Sequence, residues 1–222
     1  MGEAVTLTGA DGARIGAYVA RPAGTPKGAI VVLQEIFGAN AHIRRVADGY
    51  AGAGYLAVAP ALVDRAGTGV ELGYTPDDFA RGLALKQAVP LADTLTDIAA
   101  AVTFAKQGGK VGVVGYCWGG YLAYMAAARV EGVAAAVGYY GGGIAGALEE
   151  KLNAPVMLHF GEKDQHITAA DVAAIKAALH GTPVFTYPAD HAFNRFGAAP
   201  YDEASAALAL GRTLDFFGEW VG

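Results

Sequence analysis

The chain contains one cysteine, Cys117, at the centre of Gly115-Tyr116-Cys117-Trp118-Gly119. This is the spacing of a nucleophile elbow, with a thiol in the place of the more usual hydroxyl. In such an elbow a strand turns sharply into a helix and presents its central side chain to solvent. That strains the backbone of the central residue, and a Cβ two positions to either side would strike the neighbouring strand or helix, which is why glycines flank it. The competing reading is a buried structural cysteine in a glycine-rich turn. A nucleophilic thiol also needs a base, and the base needs an acid to orient it. Asp164 follows one apolar run and His191 another. His191 would take the thiol proton and later deliver it to the leaving oxygen, while Asp164 would fix the imidazole tautomer and stabilise its positive form. Glu162 competes with Asp164, and His166 with His191; His159 falls inside an expected strand and His180 in an expected helix. Glu35 ends a further apolar run and joins the candidate set. The oxyanion of an acyl-transfer intermediate needs two backbone donors, expected from the N–H groups of Trp118 and Ile36.

These groups can meet only if particular elements carry them. Residues 5–8 and 14–20 flank Ala10-Asp11-Gly12 and read as an opening hairpin. Residues 28–34, 55–59, 111–115, 133–140, 155–160 and 183–187 are apolar runs of strand length, the first a continuous run of the kind a strand buried on both faces shows. Helical spacing marks 41–53, 76–88, 91–106, 118–129, 168–180 and 202–220. Thr75-Pro76-Asp77-Asp78 has the form of an N-cap followed by proline and acids in the first turn. Residues 61–75 read as irregular. Strands alternating with helices imply an α/β architecture: a mainly parallel sheet of about 7–8 strands, helices on both faces, right-handed crossovers. In such sheets reactive groups gather beyond the carboxyl ends of the strands, where Glu35, Cys117, Asp164 and His191 all fall.

Composition narrows the function. At 222 residues, 54% hydrophobic and 17% charged, with no linker or internal repeat, the chain is expected to form a single domain over 1–222. A net charge of -5 without a basic cluster offers nothing to nucleic acid or an anionic membrane surface. One cysteine excludes an internal disulfide framework and a cysteine-based zinc site, and the five histidines lack metal-ligand spacing such as HExxH. No metal and no cofactor are therefore expected. With no signal peptide pattern and no apolar stretch approaching about 18 residues, a cytoplasmic protein is expected, and a monomer.

The nucleophile, acid, histidine order matches the α/β-hydrolase fold. The sequence further resembles the dienelactone hydrolase family, the carboxymethylenebutenolidases, along almost its whole length. The resemblance is carried in order by Gln34-Glu35-Ile36-Phe37-Gly38, Gly115-Tyr116-Cys117-Trp118-Gly119-Gly120, Gly138-Tyr139-Tyr140-Gly141, Asp164 and His191-Ala192-Phe193-Asn194-Arg195-Phe196. It implies hydrolysis of a small lactone bearing a carboxylate, such as dienelactone, to maleylacetate, through an acyl-enzyme on Cys117. It also implies that Glu35 lies beside the thiol until an anionic substrate displaces it. Arg195 would hold the substrate carboxylate, with Arg81 as a second anion-binding arginine, and Phe37 and Tyr139 would line the pocket. Leu83 and Lys86 stand where the family carries aromatic pocket residues, and Trp118 is bulkier than the leucine usual at its position. The alternatives are a broader carboxylesterase or thioesterase of the same fold and, from another class, a non-catalytic binding protein.

Overall fold

The computed structural model describes residues 2–222. Eight strands form one sheet in the order β1-β2-β4-β3-β5-β6-β7-β8. The strands are β1 (Glu3–Thr8), β2 (Arg14–Ala20), β3 (Ala29–Leu33), β4 (Leu56–Pro60), β5 (Val111–Tyr116), β6 (Val133–Tyr139), β7 (Val156–Gly161) and β8 (Val184–Tyr187). From β4 to β8 all neighbours are parallel, whereas β2 runs antiparallel to β4 and β1 to β2. The α/β class and the strand count agree with the sequence reading. The inner strands β3, β4, β5 and β7 are buried at every position, as expected of strands covered on both faces.

Six helices cover the sheet: α1 (Ala41–Gly52), α2 (Pro76–Ala88), α3 (Leu91–Ala105), α4 (Trp118–Arg129), α5 (Ala169–Ala178) and α6 (Glu203–Trp220). Their starts follow from their caps. The Asn40 side chain accepts from the Ile43 N–H to open α1, and capping boxes Thr75/Asp78 and Thr168/Asp171 open α2 and α5. Helices α1 and α6 share one face of the sheet, where Phe217 meets Tyr50 edge-on at 6.2 Å. Residues 61–75 contain neither helix nor strand, as the sequence suggests, and two short 3-10 turns, Lys106–Gly108 and Ile144–Gly146, were not foreseen. No single helix among the described residues is long and apolar enough to cross a membrane.

The chain switches direction across the sheet between β3 and β5, which pair in register from Ala29 with Val111 to Leu33 with Gly115. The loops leaving these two strands, 34–40 and the turn at 117, are therefore forced together at the carboxyl edge. A switch point is where an open parallel sheet opens a crevice.

Candidate active site

The turn between β5 and α4 is built as the glycine spacing requires. Cys117 has φ 56° and ψ -114°, a left-handed conformation that costs a non-glycine residue on the order of 1–3 kcal/mol. A Cβ on Gly115 would land on the carbonyl of Gly119, and one on Gly119 would land on the carbonyl of Leu33. Both glycines thus let α4 rise directly over β3 and β5. The Cys117 N–H donates to the Tyr139 carbonyl at 3.0 Å, which ties the elbow to β6. The thiol belongs to a partly exposed residue, against the buried structural reading.

Asp164 follows β7 and His191 lies in the loop after β8, so both reach the same edge. The His191 Nδ1 and Asp164 Oδ2 are 2.7 Å apart, and the Asp164 side chain is fully buried. Its other oxygen, Oδ1, accepts from the N–H groups of His166 at 2.7 Å and Ile167 at 3.2 Å. Burial works against the Asp164 charge, but His191 and the two backbone donors outweigh it and hold the carboxyl below its usual range. For His191, burial likewise opposes the proton, while the bond to Asp164 and the Cys117 sulfur on its other side favour it; the imidazole pKa rises to about 10.

The rival histidines resolve on position. His159 is buried in β7, bonded to the Tyr187 hydroxyl at 2.8 Å and Thr213 Oγ1 at 3.1 Å, and burial together with Arg212 drives its pKa down to about 3. His180 is exposed at the end of the α5 region. His166 lies edge-on to His191 with ring centroids 5.3 Å apart, but only its backbone engages Asp164. The rival acid Glu162 accepts instead from the Thr186 hydroxyl.

The N–H groups of Trp118 and Ile36 have no acceptor among the described residues. One opens α4 and the other sits in the loop after β3, the two places from which an oxyanion hole is assembled.

Glu35 departs from the expected arrangement. Its carboxylate, 1% exposed, is turned to Arg195: Nε donates to Oε2 at 3.0 Å and to Oε1 at 3.3 Å, and an Nη2 donates to Oε1 at 2.8 Å. No hydrogen bond joins Glu35 to the thiol among the described residues. Arg195 reaches the site as expected, yet its guanidinium is already taken by this pair and lies over the rings of Phe37, at 5.1 Å, and Tyr74, at 4.5 Å. Phe37 is buried against this guanidinium, and Tyr74 is a neighbour that sequence reasoning missed, because it falls in the patternless stretch before α2.

One expectation is corrected, and a second residue stands apart from the Glu35–Arg195 pair. Tyr139 does not line a pocket; it is fully buried, its hydroxyl 2.7 Å from Thr213 Oγ1 and its ring against His159 at 4.5 Å. The strand alternation sends its neighbour Tyr140, with φ 38°, to the site instead, 5.1 Å from the His191 ring and with its buried hydroxyl unpartnered. Arg81 is exposed on α2, with Asp78 as its charged neighbour and no bond to Glu35 or Arg195. What α2 does bring to the site is Gly82, whose Cβ would lie 2.6 Å from the Ile36 carbonyl. The helix thus rests on the oxyanion loop through a position where only glycine fits.

A mainly parallel sheet with a strained strand-to-helix elbow, an aspartate-bonded histidine and two N–H donors free among the described residues is that of an α/β-hydrolase acting on carboxylic esters or lactones. Comparison with known proteins agrees. The chain belongs to the dienelactone hydrolase family, whose profile matches residues 15–221. It is 36% identical to the carboxymethylenebutenolidase of Pseudomonas putida over 96% of this chain and 95% of that one. It is 31% identical to carboxymethylenebutenolidase 1 of Cupriavidus pinatubonensis over 97% and 96%. Among solved structures, that of a "Putative Dienelactone Hydrolase" from Klebsiella pneumoniae superposes with a TM-score of 0.85 at 32% identity, over 99% of this chain and 100% of that one. A dienelactone hydrolase-like promiscuous phosphotriesterase from metagenomic libraries shares the fold, with a TM-score of 0.77 at 22% identity.

Proposed function

We propose that the protein opens a small carboxylate-bearing lactone, dienelactone being the leading choice, to maleylacetate through a thioester on Cys117. The observation that carries this reading is a partly buried arginine, Arg195, four residues after the Asp164-bonded His191 and bound to the buried carboxylate of Glu35. A guanidinium that already makes parallel bonds to Glu35 has the geometry to make them to a substrate carboxylate.

The Cys117 sulfur attacks the lactone carbonyl, and the N–H groups of Trp118 and Ile36 take the developing oxyanion. As the carbonyl re-forms, the ring C–O bond breaks, the His191 imidazolium protonates the released enolate oxygen, and the product remains joined to sulfur as a thioester. The enol so released becomes the ketone of maleylacetate. Water then attacks the thioester with His191 as base, and the sulfur leaves. Asp164 holds the imidazole in the required tautomer throughout. For the substrate carboxylate to reach Arg195, Glu35 must give up its place, so the site is tuned to anions strong enough to compete with a built-in one.

The test is a panel of anionic lactones and neutral p-nitrophenyl esters, run on wild type, Cys117→Ala and Arg195→Ala. The expected result is loss of lactone opening in Cys117→Ala and loss of the preference for anionic substrates in Arg195→Ala. Full-rate lactone opening by Cys117→Ala would overturn the nucleophile assignment. An Arg195→Ala enzyme that keeps its anion preference would leave the broader carboxylesterase or thioesterase reading.

A further inference from the structure

A second cavity, of about 330 Å³, lies between α1 and α6, and none of Cys117, His191, Glu35 or Arg195 lines it. It exists because two helix faces approach without closing. Helix α1 contributes His42, Arg45, Gly49 and Tyr50, residues one and two turns apart on a single stripe. Helix α6 answers with the adjacent Ala206 and Ala207 and with Leu210 about one turn on. Glycine and two alanines at the point of approach leave the gap, and a Cβ on Gly49 would meet nothing within 4 Å. The ring of Tyr116 borders the cavity from the end of β5, and Asn194 and Phe196 close it from the loop after β8.

Three polar side chains around this apolar hollow are unspent. His42 is 7% exposed, yet neither of its ring nitrogens has a hydrogen-bond partner. Burial keeps it from taking up a proton, so it is a neutral donor and acceptor. Arg45 makes no ion pair among the described residues and lies 3.8 Å over the ring of Phe196. The Asn194 amide makes no side-chain hydrogen bond there either. An orphaned buried polar group costs on the order of 1–3 kcal/mol, so a buried unpartnered imidazole beside a hollow argues for a guest that completes it. Apolar walls with a few convergent polar groups are the make-up of a small-molecule site.

We propose that this cavity is a binding site, distinct from the catalytic crevice, for a monocyclic aromatic carboxylate. The ring lies between the tyrosines and the α6 alanines, and the carboxylate is taken by Arg45 and the His42 N–H from α1 and by the Asn194 amide from the loop after β8. Glu203 on the α6 rim repels an anion and so fixes which way round the guest sits.

Isothermal titration of benzoate into the intact protein tests this, with benzyl alcohol as a neutral counterpart of the same shape. Arg45→Gln and Ala207→Trp are the variants; both positions are exposed, so neither change enters the core. Saturable benzoate binding is expected in wild type, weakened by about tenfold or more in Arg45→Gln, a charge-assisted contact's worth, and by a similar factor for benzyl alcohol. Ala207→Trp fills the hollow and abolishes the binding. No saturable binding in wild type, or benzoate affinity unchanged in either variant, as it would be if benzoate sat only at Arg195, overturns the proposal. The assignment does not depend on the identity of the lactone substrate.

Discussion

At the scale of single residues, the two charge pairs of the site make opposite demands on the protein. His191 holds its proton up to about pH 10 in the folded state, against about 6.5 for a free imidazole. A raised pKa means that folding takes up a proton between those values. The stabilisation is therefore complete below about pH 6.5 and is lost as pH climbs towards about 10. Urea midpoints for wild type should fall between pH 6.5 and pH 10, and the fall should be smaller in Asp164→Asn, which lacks the charge that holds the proton. Asp164→Asn should also cut kcat by about 10³–10⁴-fold while leaving the fold intact, because the amide favours the wrong tautomer. A loss below tenfold would show that the aspartate does not set the tautomer. The Glu35–Arg195 pair behaves differently. Arg195→Ala strands a buried carboxylate and should destabilise by about 3–5 kcal/mol, whereas Glu35→Gln combined with Arg195→Met should recover most of that loss. Denaturant unfolding of the single and double variants checks both statements.

At the scale of elements, the loop after β3, which carries the proposed oxyanion donor Ile36, is held by α2, and the contact runs through Gly82. A methyl group there would stand 2.6 Å from the Ile36 carbonyl, so Gly82→Ala must push either the helix or the loop away. The expected outcome is a destabilisation of about 1–3 kcal/mol together with a fall in kcat larger than the change in KM, since the displaced group donates only to the transition state. An unchanged kcat with lowered stability would mean that the helix moved and the loop did not. The elements themselves were legible in the sequence for physical reasons. Strands buried on both faces read as unbroken apolar runs, and α2 announces itself through Thr75, whose side chain does cap it. What could not be read was orientation at the ends of elements. Tyr139 and Tyr140 are the same residue type in adjacent positions, and the positive φ of Tyr140 is not encoded by its identity. The Glu35–Arg195 pair joins residues 160 positions apart, and nothing local in either segment says that the carboxylate turns to the guanidinium instead of the thiol. Arg81 shows a related limit: helical spacing places it on α2 but does not say which face of α2 meets the loop.

At the scale of the whole molecule, the proposed function asks the site to attract an anion in a chain whose net charge is -5. Arg195 is neutralised at short range by Glu35, so the pair projects little field beyond its own dimensions. An anionic lactone therefore meets a molecule that on balance repels it until Glu35 yields, and selection occurs at contact and not during approach. Salt distinguishes the two. Raising ionic strength from about 0.01 M to about 0.15 M shortens the Debye length from about 30 Å to about 8 Å, which screens net repulsion and long-range steering alike. If the reading is right, kcat/KM for an anionic lactone stays level or rises modestly over that range. In Glu35→Gln, where Arg195 is no longer paired with a charge, it should start higher at low salt and fall as salt is added. Stopped-flow measurement of both enzymes with one anionic and one neutral substrate decides the matter, the neutral substrate serving to remove general effects of salt on the protein. A steep fall with salt in the wild type, specific to the anionic substrate, would mean that other cations steer the substrate. The exposed Arg81 on α2 would then be the first residue to remove.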